Sequence, residues 1–265
     1  MIKLEHAVFA SPEQLMFIIE GMRNPMNSWD KNDSERCEDK DNCDACLRKI
    51  ECDNHYISKK ELVLGPNDVN LMKNLAKAGT DHRKFMRMMP VYVRITAPLY
   101  WWKEFDTYKV GTIANSCSTM HKIAEKEFTL EDFSHEHLLN MANNDAGDAL
   151  FLNDVNNIRV DGDDLLGLTV NILNYYRGRY IKTKDKRYWW QMIQLLPSSY
   201  NQTRNVMLNY EVLANIYHSR NNHKLDEWRY LCKWIEEKVP YSWLITEIDK
   251  EGYKIIADNK VYLKC

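Results

Sequence analysis

The chain has 265 residues, 45% of them hydrophobic and 11% aromatic, with only 9 glycines and 7 prolines. That excludes a disordered or collagen-like chain and allows a core large enough to fold without disulfides. With 36 Lys+Arg against 38 Asp+Glu the formal net charge is −2, which argues against a general polyanion binder, because such a protein needs a basic excess to displace counterions. No apolar run reaches the length of a membrane span. The opening Met1-Ile2-Lys3-Leu4-Glu5-His6 lacks the basic-then-apolar layout of a signal peptide. Seven cysteines, an odd number, read as reduced thiols or metal ligands rather than disulfides. The expectation is a cytoplasmic globular protein, a single α+β domain over residues 1–265.

The first element is a predicted strand, Ile2 to Phe9. Ser11-Pro12-Glu13-Gln14 then supplies an N-cap, a proline in the first turn and a capping-box glutamine. Leu15, Ile18, Ile19 and Met22 follow at helical spacing, so a helix runs to about Arg23, where Asn24-Pro25 ends it. Residues 30–56 are rich in Asp, Glu, Lys, Asn and Cys without aliphatic periodicity and read as an insertion. Order resumes at Asn67 with a helix carrying Leu71, Leu75 and Ala76 and ending near Gly79.

Pro90 to Thr96 alternates strictly and reads as a strand, and Ala97-Pro98 starts a helix whose inner side takes Leu99, Trp102 and Tyr108. The stretch 121–195 is expected to be mostly helical, broken at Asn143-Asn144-Asp145 and at Asp161-Gly162-Asp163-Asp164, which lack calcium-loop spacing and read as turns and caps. After Leu196-Pro197, a helix is predicted with Val206, Met207, Tyr210, Leu213, Ala214 and Tyr217 on one face. A second follows from about Lys224, with Leu225, Trp228, Leu231, Cys232 and Ile235 inward. The tail alternates around Asp249-Lys250-Glu251-Gly252 and again around Asp258-Asn259, so residues 244–265 are expected to form a C-terminal β-meander.

Three constellations have chemical content. Cys37, Cys43, Cys46 and Cys52, spaced C-x5-C-x2-C-x5-C with His55 behind them, suit a closed tetrahedral zinc site that would be structural. The other reading is four thiols in a polar loop, a dense exposure of reactive groups. The segment is acidic, which argues against a nucleic-acid module. The second constellation is Lys103, Glu104, Asp106, Thr107 and Lys109 followed by Asn115-Ser116-Cys117-Ser118-Thr119. It is either an anion-binding loop or a capped polar turn. The third is Asn209, Asn215, His218, Arg220 and His223, an Arg–His junction of two helices that suits a phosphate or a planar ring, or simply complements a helix dipole.

Taken in order and spacing, Leu71-Met72-Lys73, Gly79-Thr80-Asp81-His82 and Val91 to Tyr100, together with Leu196-Pro197, Asn215, Arg220, His223 and Glu227, resemble the flavin-dependent thymidylate synthase family. The resemblance covers about residues 67–122 and 195–243. It implies an antiparallel sheet with packed helices, a homotetramer with shared sites, FAD as cofactor and a deoxyuridylate-like pyrimidine nucleotide as substrate. It also implies that His82, Asn215 and His223 contact flavin, with Lys109 beside them, and that Arg220 contacts the nucleotide. Glu104 stands where the family has a glutamine near the nucleotide, and Lys103, Ser116 and Ser118 are further substrate-side candidates. The chain departs from the family's R-H-R-x7-S signature: Thr107-Tyr108-Lys109 replaces R-H-R, Cys117 takes the serine position, and Thr119 stands where a following arginine belongs. Each lost charge-assisted hydrogen bond is worth about 1.5–3 kcal/mol. Two functions follow. One is an enzyme with altered or lost methyl-transfer chemistry, in which Cys117 is the candidate nucleophile. The other is a non-catalytic nucleotide-binding or regulatory protein with a reshaped pocket.

The cysteine spacing makes its own prediction. Elemental analysis of protein prepared under reducing, chelator-free conditions is expected to find about one zinc per chain, and replacing Cys43 with Ser is expected to loosen residues 30–56 while leaving the core folded.

Overall fold

The computed structural model of the chain describes residues 2–36, 62–139, 150–153 and 158–247. In chain order the elements are β1 (Lys3–Phe9), α1 (Pro12–Arg23), β2 (Glu35–Arg36), β3 (Leu62–Val63), α2 (Pro66–Lys77), α3 (Lys84–Met88), β4 (Pro90–Pro98), α4 (Leu99–Phe105), β5 (Ile113–Ser116), α5 (Thr119–Lys122), β6 (Leu150–Asn153), β7 (Ile158–Val160), α6 (Gly162–Thr183), α7 (Lys186–Leu195), β8 (Asn201–Asn209), α8 (Tyr210–Arg220), α9 (Asp226–Lys238) and α10 (Trp243–Thr246). Four strands form one sheet in the order β1-β4-β8-β5, while β2–β3 and β6–β7 are two-stranded antiparallel pairs. Among the described residues, no helix is long and apolar enough to cross a membrane.

The chain divides into two compact units. One comprises Met1–Leu4, Arg94–Thr107 and Asn115–Asn205; the other comprises Glu5–Val93, Tyr108–Ala114 and Val206–Cys265.

In the first unit, β4 and β8 are joined by side chains as well as backbone: Thr96 Oγ1 lies 2.7 Å from Thr203 Oγ1, and Arg94 Nε donates to Asn205 Oδ1 at 3.3 Å. The partner numbers run in opposite directions, as in an antiparallel pair. Trp101, Trp102 and Phe105 of α4 are buried and meet edge-on or stacked at 4.9–5.2 Å between ring centroids. A further core joins Ile123, Phe128 and Phe133 to Leu166, Val170 and Leu173 of α6 and Met192 of α7.

In the second unit, α1 is built as its sequence prescribes. Ser11 and Gln14 form the reciprocal capping box, and Leu15, Ile18, Ile19 and Met22 are buried. Asp68 of α2 is fully buried and accepts from Arg23 Nε at 2.6 Å, from Ser34 Oγ at 2.6 Å and from Ser34 N at 3.0 Å. Asp33 in turn accepts from the Asn67 and Asp68 amides at 2.9 and 3.1 Å, capping the N-terminus of α2 from a distant loop. Gly65 is required there, because a Cβ would lie 2.2 Å from Asp33 Cγ.

Several boundaries differ from the sequence reading. β4 continues through Ala97-Pro98, and Pro98 is the extended N-cap of α4 rather than its first helical residue. The inner side of α4 takes Trp101, Trp102 and Phe105, while Tyr108 lies beyond the helix end. Of the described residues within 121–160, those at the end of α5 and in one short 3-10 turn at Leu130–Asp132 are helical, while β6 and β7 pair antiparallel; the first long helix of this stretch begins at Gly162. Asp161 is indeed a cap, with a reciprocal box to Asp164. Val206 and Met207 belong to β8, where Val206 and Leu208 are buried in strand alternation, and the helix begins only at Tyr210. The apparent helical stripe was a strand and a helix read as one. The following helix starts at Asp226 rather than Lys224.

Part of the Cys-rich stretch is described: within 30–36, Ser34 is buried and Asp33 caps α2. Cys37, Cys43, Cys46 and Cys52 lie outside the described residues, as does Asn143-Asn144-Asp145. Of the expected C-terminal β extension, Trp243–Thr246 is helical, and the remainder from residue 248 is outside the described residues.

Removing the Asp68 carboxylate leaves the buried Arg23 guanidinium without its counter-charge and takes an acceptor from the Ser34 hydroxyl and amide and from the Asp33 amide. Asp68→Ala is therefore expected to destabilise the protein by about 3–5 kcal/mol, read as a fall in the urea midpoint at unchanged m value.

Candidate functional site

The second unit holds a cluster of charged and aromatic side chains at the two ends of α8. Helix α8 starts where β8 ends, because Asn209 turns its side chain onto the Val212 amide at 3.0 Å and caps the helix. The same Asn209 faces Gly111, whose φ is +80° and where a Cβ would lie 2.9 Å from Asn209 Nδ2. A side chain there is excluded both by conformation and by space. The turn after Tyr108 is thereby seated on the start of α8.

At the first turn of α8, Glu211 is buried and receives Arg83 Nε at 3.1 Å together with a close ion pair to Arg87. Arg87 also donates to Thr80 O at 3.0 Å, which fixes the turn containing Gly79 and His82. Hydrogen bonding to Glu211 holds the Arg87 guanidinium above its ordinary value against the opposing effect of burial. His82 itself is exposed, and its amide donates to Gly79 O at 3.1 Å. The sequence reading singled out His82, whereas the buried ion-pairing group is its neighbour Arg83.

At the last residue of α8, Arg220 is held on three sides. Its Nε donates to the Tyr108 hydroxyl at 3.0 Å, and its Nη1 lies 3.0 Å from His223 Nε2. Its guanidinium carbon sits 4.8 Å from the Trp228 ring centroid and 5.8 Å from that of Tyr108. The Tyr108 and Trp228 rings meet at 5.9 Å and 63°, and His223 lies edge-on to Trp228 at 6.3 Å. The Leu225 amide donates to His223 Nδ1 at 3.2 Å. A neutral imidazole offers a single ring-nitrogen lone pair, so only one of these two contacts can be a hydrogen bond, while both bear on the orientation of the ring. The result is a cation fixed between two aromatic rings, an arrangement suited to an anionic group or a flat heterocycle.

Asn215 lies midway along α8 and is half-buried; Lys109 is exposed. Thus Arg220 and His223 are brought together, whereas His82 and Lys109 stand on the surface. Tyr108 and Trp228 complete the cluster. The sequence reading had Tyr108 as a departure from a motif and Trp228 as core; both were legible only as aromatic residues near a cation in space.

The first unit carries a separate polar chain. Arg204 of β8 lies with its guanidinium 4.1 Å from the Trp102 ring centroid, donates from Nε to Gln202 Oε1 at 2.9 Å and from Nη1 to Asp106 Oδ1 at 2.8 Å. Gln202 passes the chain on, donating to Cys117 O at 3.1 Å and to Thr119 Oγ1 at 2.9 Å. The Cys117 amide donates to Thr203 O at 2.9 Å, and Ser118 caps α5 by accepting from the His121 amide at 3.1 Å. Ser116, Cys117 and Ser118 are exposed, Ser116 as the last residue of β5; Lys103 is exposed and Glu104 half-buried on α4. Gln202 and Arg204 were missed because they stand on a stretch read as the approach to a helix, while alternation along β8 sets their direction.

Among the described residues two thiols are unbridged. Cys232 is buried, and burial with the nearby Glu236 carboxylate pushes its thiol up to about 12, which fits a packing role. Cys117 is exposed. No group of three or more His, Cys, Asp or Glu suited to a metal occurs among the described residues.

No family model matches the chain, and no curated protein matches it by sequence. Solved structures do match by fold. The flavin-dependent thymidylate synthase ThyX from Helicobacter pylori, complexed with FAD and dUMP, aligns with a TM-score of 0.55 at 15% identity, covering 94% of this chain and 99% of that one. A UMP/dUMP methylase, PolB from Streptomyces cacaoi, bound with 5-Br dUMP, aligns with a TM-score of 0.54 at 12% identity, covering 96% of this chain and 95% of that one. At such identities the likeness is one of fold: the chain has a ThyX-like architecture of sheet and packed helices.

Proposed function

We propose that this chain is a ThyX-like nucleotide-binding protein that takes a pyrimidine nucleotide of the deoxyuridylate type, with FAD as its cofactor. The observation that carries the reading is Arg220, held by Tyr108, Trp228 and His223 in a fold whose solved neighbours bind dUMP and, in ThyX, FAD. A guanidinium pinned on aromatic faces is a planar cation whose geometry matches carboxylate and phosphate, and it loses little side-chain entropy when the ligand arrives. The donor set suits both ligands. Arg220 would take the nucleotide, Asn215 and His223 would line the flavin with His82 and Lys109 at its edge, and FAD would supply hydride transfer. Within the other unit, taken by itself, Ser116, Cys117 and Ser118, steadied by Gln202 and Arg204, are hydroxyl and amide donors suited to a phosphate, and Lys103 and Glu104 are that unit's further substrate-side candidates. Cys117 is the exposed thiol in that group and the candidate nucleophile.

A second reading, nucleotide binding without catalysis, is favoured by Thr107 and Thr119 standing where the resemblance places arginines. Fewer fixed cations leave fewer groups to stabilise developing charge. Reconstitution with FAD separates the two. A bound-flavin absorbance spectrum with thymidylate formed from dUMP supports the enzyme. A colourless protein that still binds dUMP in calorimetry supports the binding protein. No affinity for either ligand overturns both.

Arg220 is tested by replacement with Ala and with Lys. Arg220→Ala is expected to weaken dUMP binding by about 30-fold or more and to cost about 1 kcal/mol of stability through the lost aromatic contacts. Arg220→Lys keeps the charge but not the planar fork, and is expected to recover stability more than affinity. Lost stability with intact dUMP affinity would remove Arg220 from the site.

A further inference from the structure

Helices α6 and α7 meet at a turn where positive charge is concentrated. Between Arg177 and Arg187 stand six cations and one acid, Asp185, in a chain whose net charge is −2. Three of the cations are engaged within the unit. Arg177 donates to Ala124 O at 3.0 Å, and Arg187 pairs with Asp185 at 2.7 Å. Arg179 donates to the Tyr188 hydroxyl at 2.9 Å and lies 5.1 Å from that ring's centroid. Lys182, Lys184 and Lys186 are exposed and, among the described residues, have no carboxylate partner. Cations at the end of α6 complement its dipole, but those at the start of α7 oppose theirs. The first turn of α7 carries Lys186 and Arg187 and no acid, and only the N-cap Asp185 offsets them. The helix itself therefore gives no reason for positive charge at that end.

The outward face of α7 continues the patch. Lys186, Arg187, Trp190 and Gln194 are exposed and fall within a sector of about 100°. On the inner side Met192 is buried, and Trp189 and Ile193 pack on the core. Lys186 Nζ lies 5.9 and 5.7 Å from the Trp189 and Trp190 ring centroids, and Trp190 is 43% exposed. We propose that this face and the turn before it bind a single-stranded nucleic acid, with phosphates on Lys182, Lys184 and Lys186 and a base on Trp190. A ring set among cations suits a phosphodiester strand with unstacked bases, whereas a duplex presents phosphates but no free base face. A lipid surface is disfavoured, because an interfacial helix needs an apolar face and this sector holds no aliphatic side chain. The cationic excess is local, so the near-zero charge of the whole chain limits the affinity without forbidding the contact.

Fluorescence anisotropy of labelled oligothymidylate and oligouridylate, each about 12 nucleotides long, tests this on the full chain. Binding is expected with a dissociation constant of about 10 µM at low salt, and the tighter strand identifies the ligand as DNA or RNA. Three phosphate contacts predict a slope of about −2 for the logarithm of the binding constant against that of salt concentration. Lys182→Ala with Lys186→Ala is expected to flatten that slope by about 1.4. Both lysines are exposed, so this variant should keep its melting temperature. Trp190→Ala is expected to weaken binding about tenfold at unchanged slope, and Trp190→Phe to recover most of it. No binding at about 100 µM protein and low salt would overturn the proposal. So would displacement of the oligonucleotide by saturating dUMP, which would assign the contact to the mononucleotide site. A duplex bound as tightly as the single strand, or phosphatidylserine vesicles bound in place of either strand, would overturn it equally.

Discussion

The placement of helix α8 depends on a buried carboxylate at its start. Glu211 sits in the first turn of α8, where the unpaired amides already favour negative charge, and it is closed off by Arg83 and Arg87. Burying this acid would be prohibitive alone, and burying Arg83 beside it equally so; together they are tolerable only in one geometry. That geometry sets α3 against α8. It is reinforced by the Tyr210 amide, which donates to Met89 O at 3.2 Å, and by Asn209, which binds the helix and bears on Gly111. With its start fixed, the eleven-residue α8 delivers Arg220 at its far end, about 16 Å away.

A second buried pair, Arg23 with Asp68, does for α1 and α2 what Glu211 does for α3 and α8. Neither pair contributes much net free energy over an apolar alternative. Each removes the neighbouring packings that would leave a charge unpaired, and Asp33 adds a further condition by capping α2 across 35 residues of chain. The protein thus spends its buried charge on alignment, and its apolar residues on cohesion.

The arginine clusters show the same division at the surface. Arg220 and Arg204 each lie over a tryptophan and each give hydrogen bonds to fixed side chains. Stacking removes rotamer freedom, so each guanidinium is held in one direction by its ring and its hydrogen-bonding partners.

How much of this was legible in the sequence is clear from particular elements. Helix α1 was readable end to end, because Ser11, Pro12 and Gln14 are local capping signals and its apolar spacing has one period. The strand from Pro90 and the helix bearing Trp228, Leu231 and Ile235 were readable for the same reason, and the order of motifs pointed to the fold that the solved neighbours share. The switch from β8 to α8 was not, because Val206, Met207 and Tyr210 fit a helical stripe whenever the cap at Asn209 goes unnoticed. Arg220 and His223 were visible as residue types, three apart at a helix end. Their packing is decided by Tyr108 and Trp228, which arrive from other parts of the chain. Local hydrogen bonding and periodicity act over a few residues, and sequence carries them directly. The pairings Arg83–Glu211, Arg23–Asp68 and Arg220–Tyr108 join distant residues, and only closure of the tertiary fold makes leaving each of those charges unpaired more costly than bringing it to its partner.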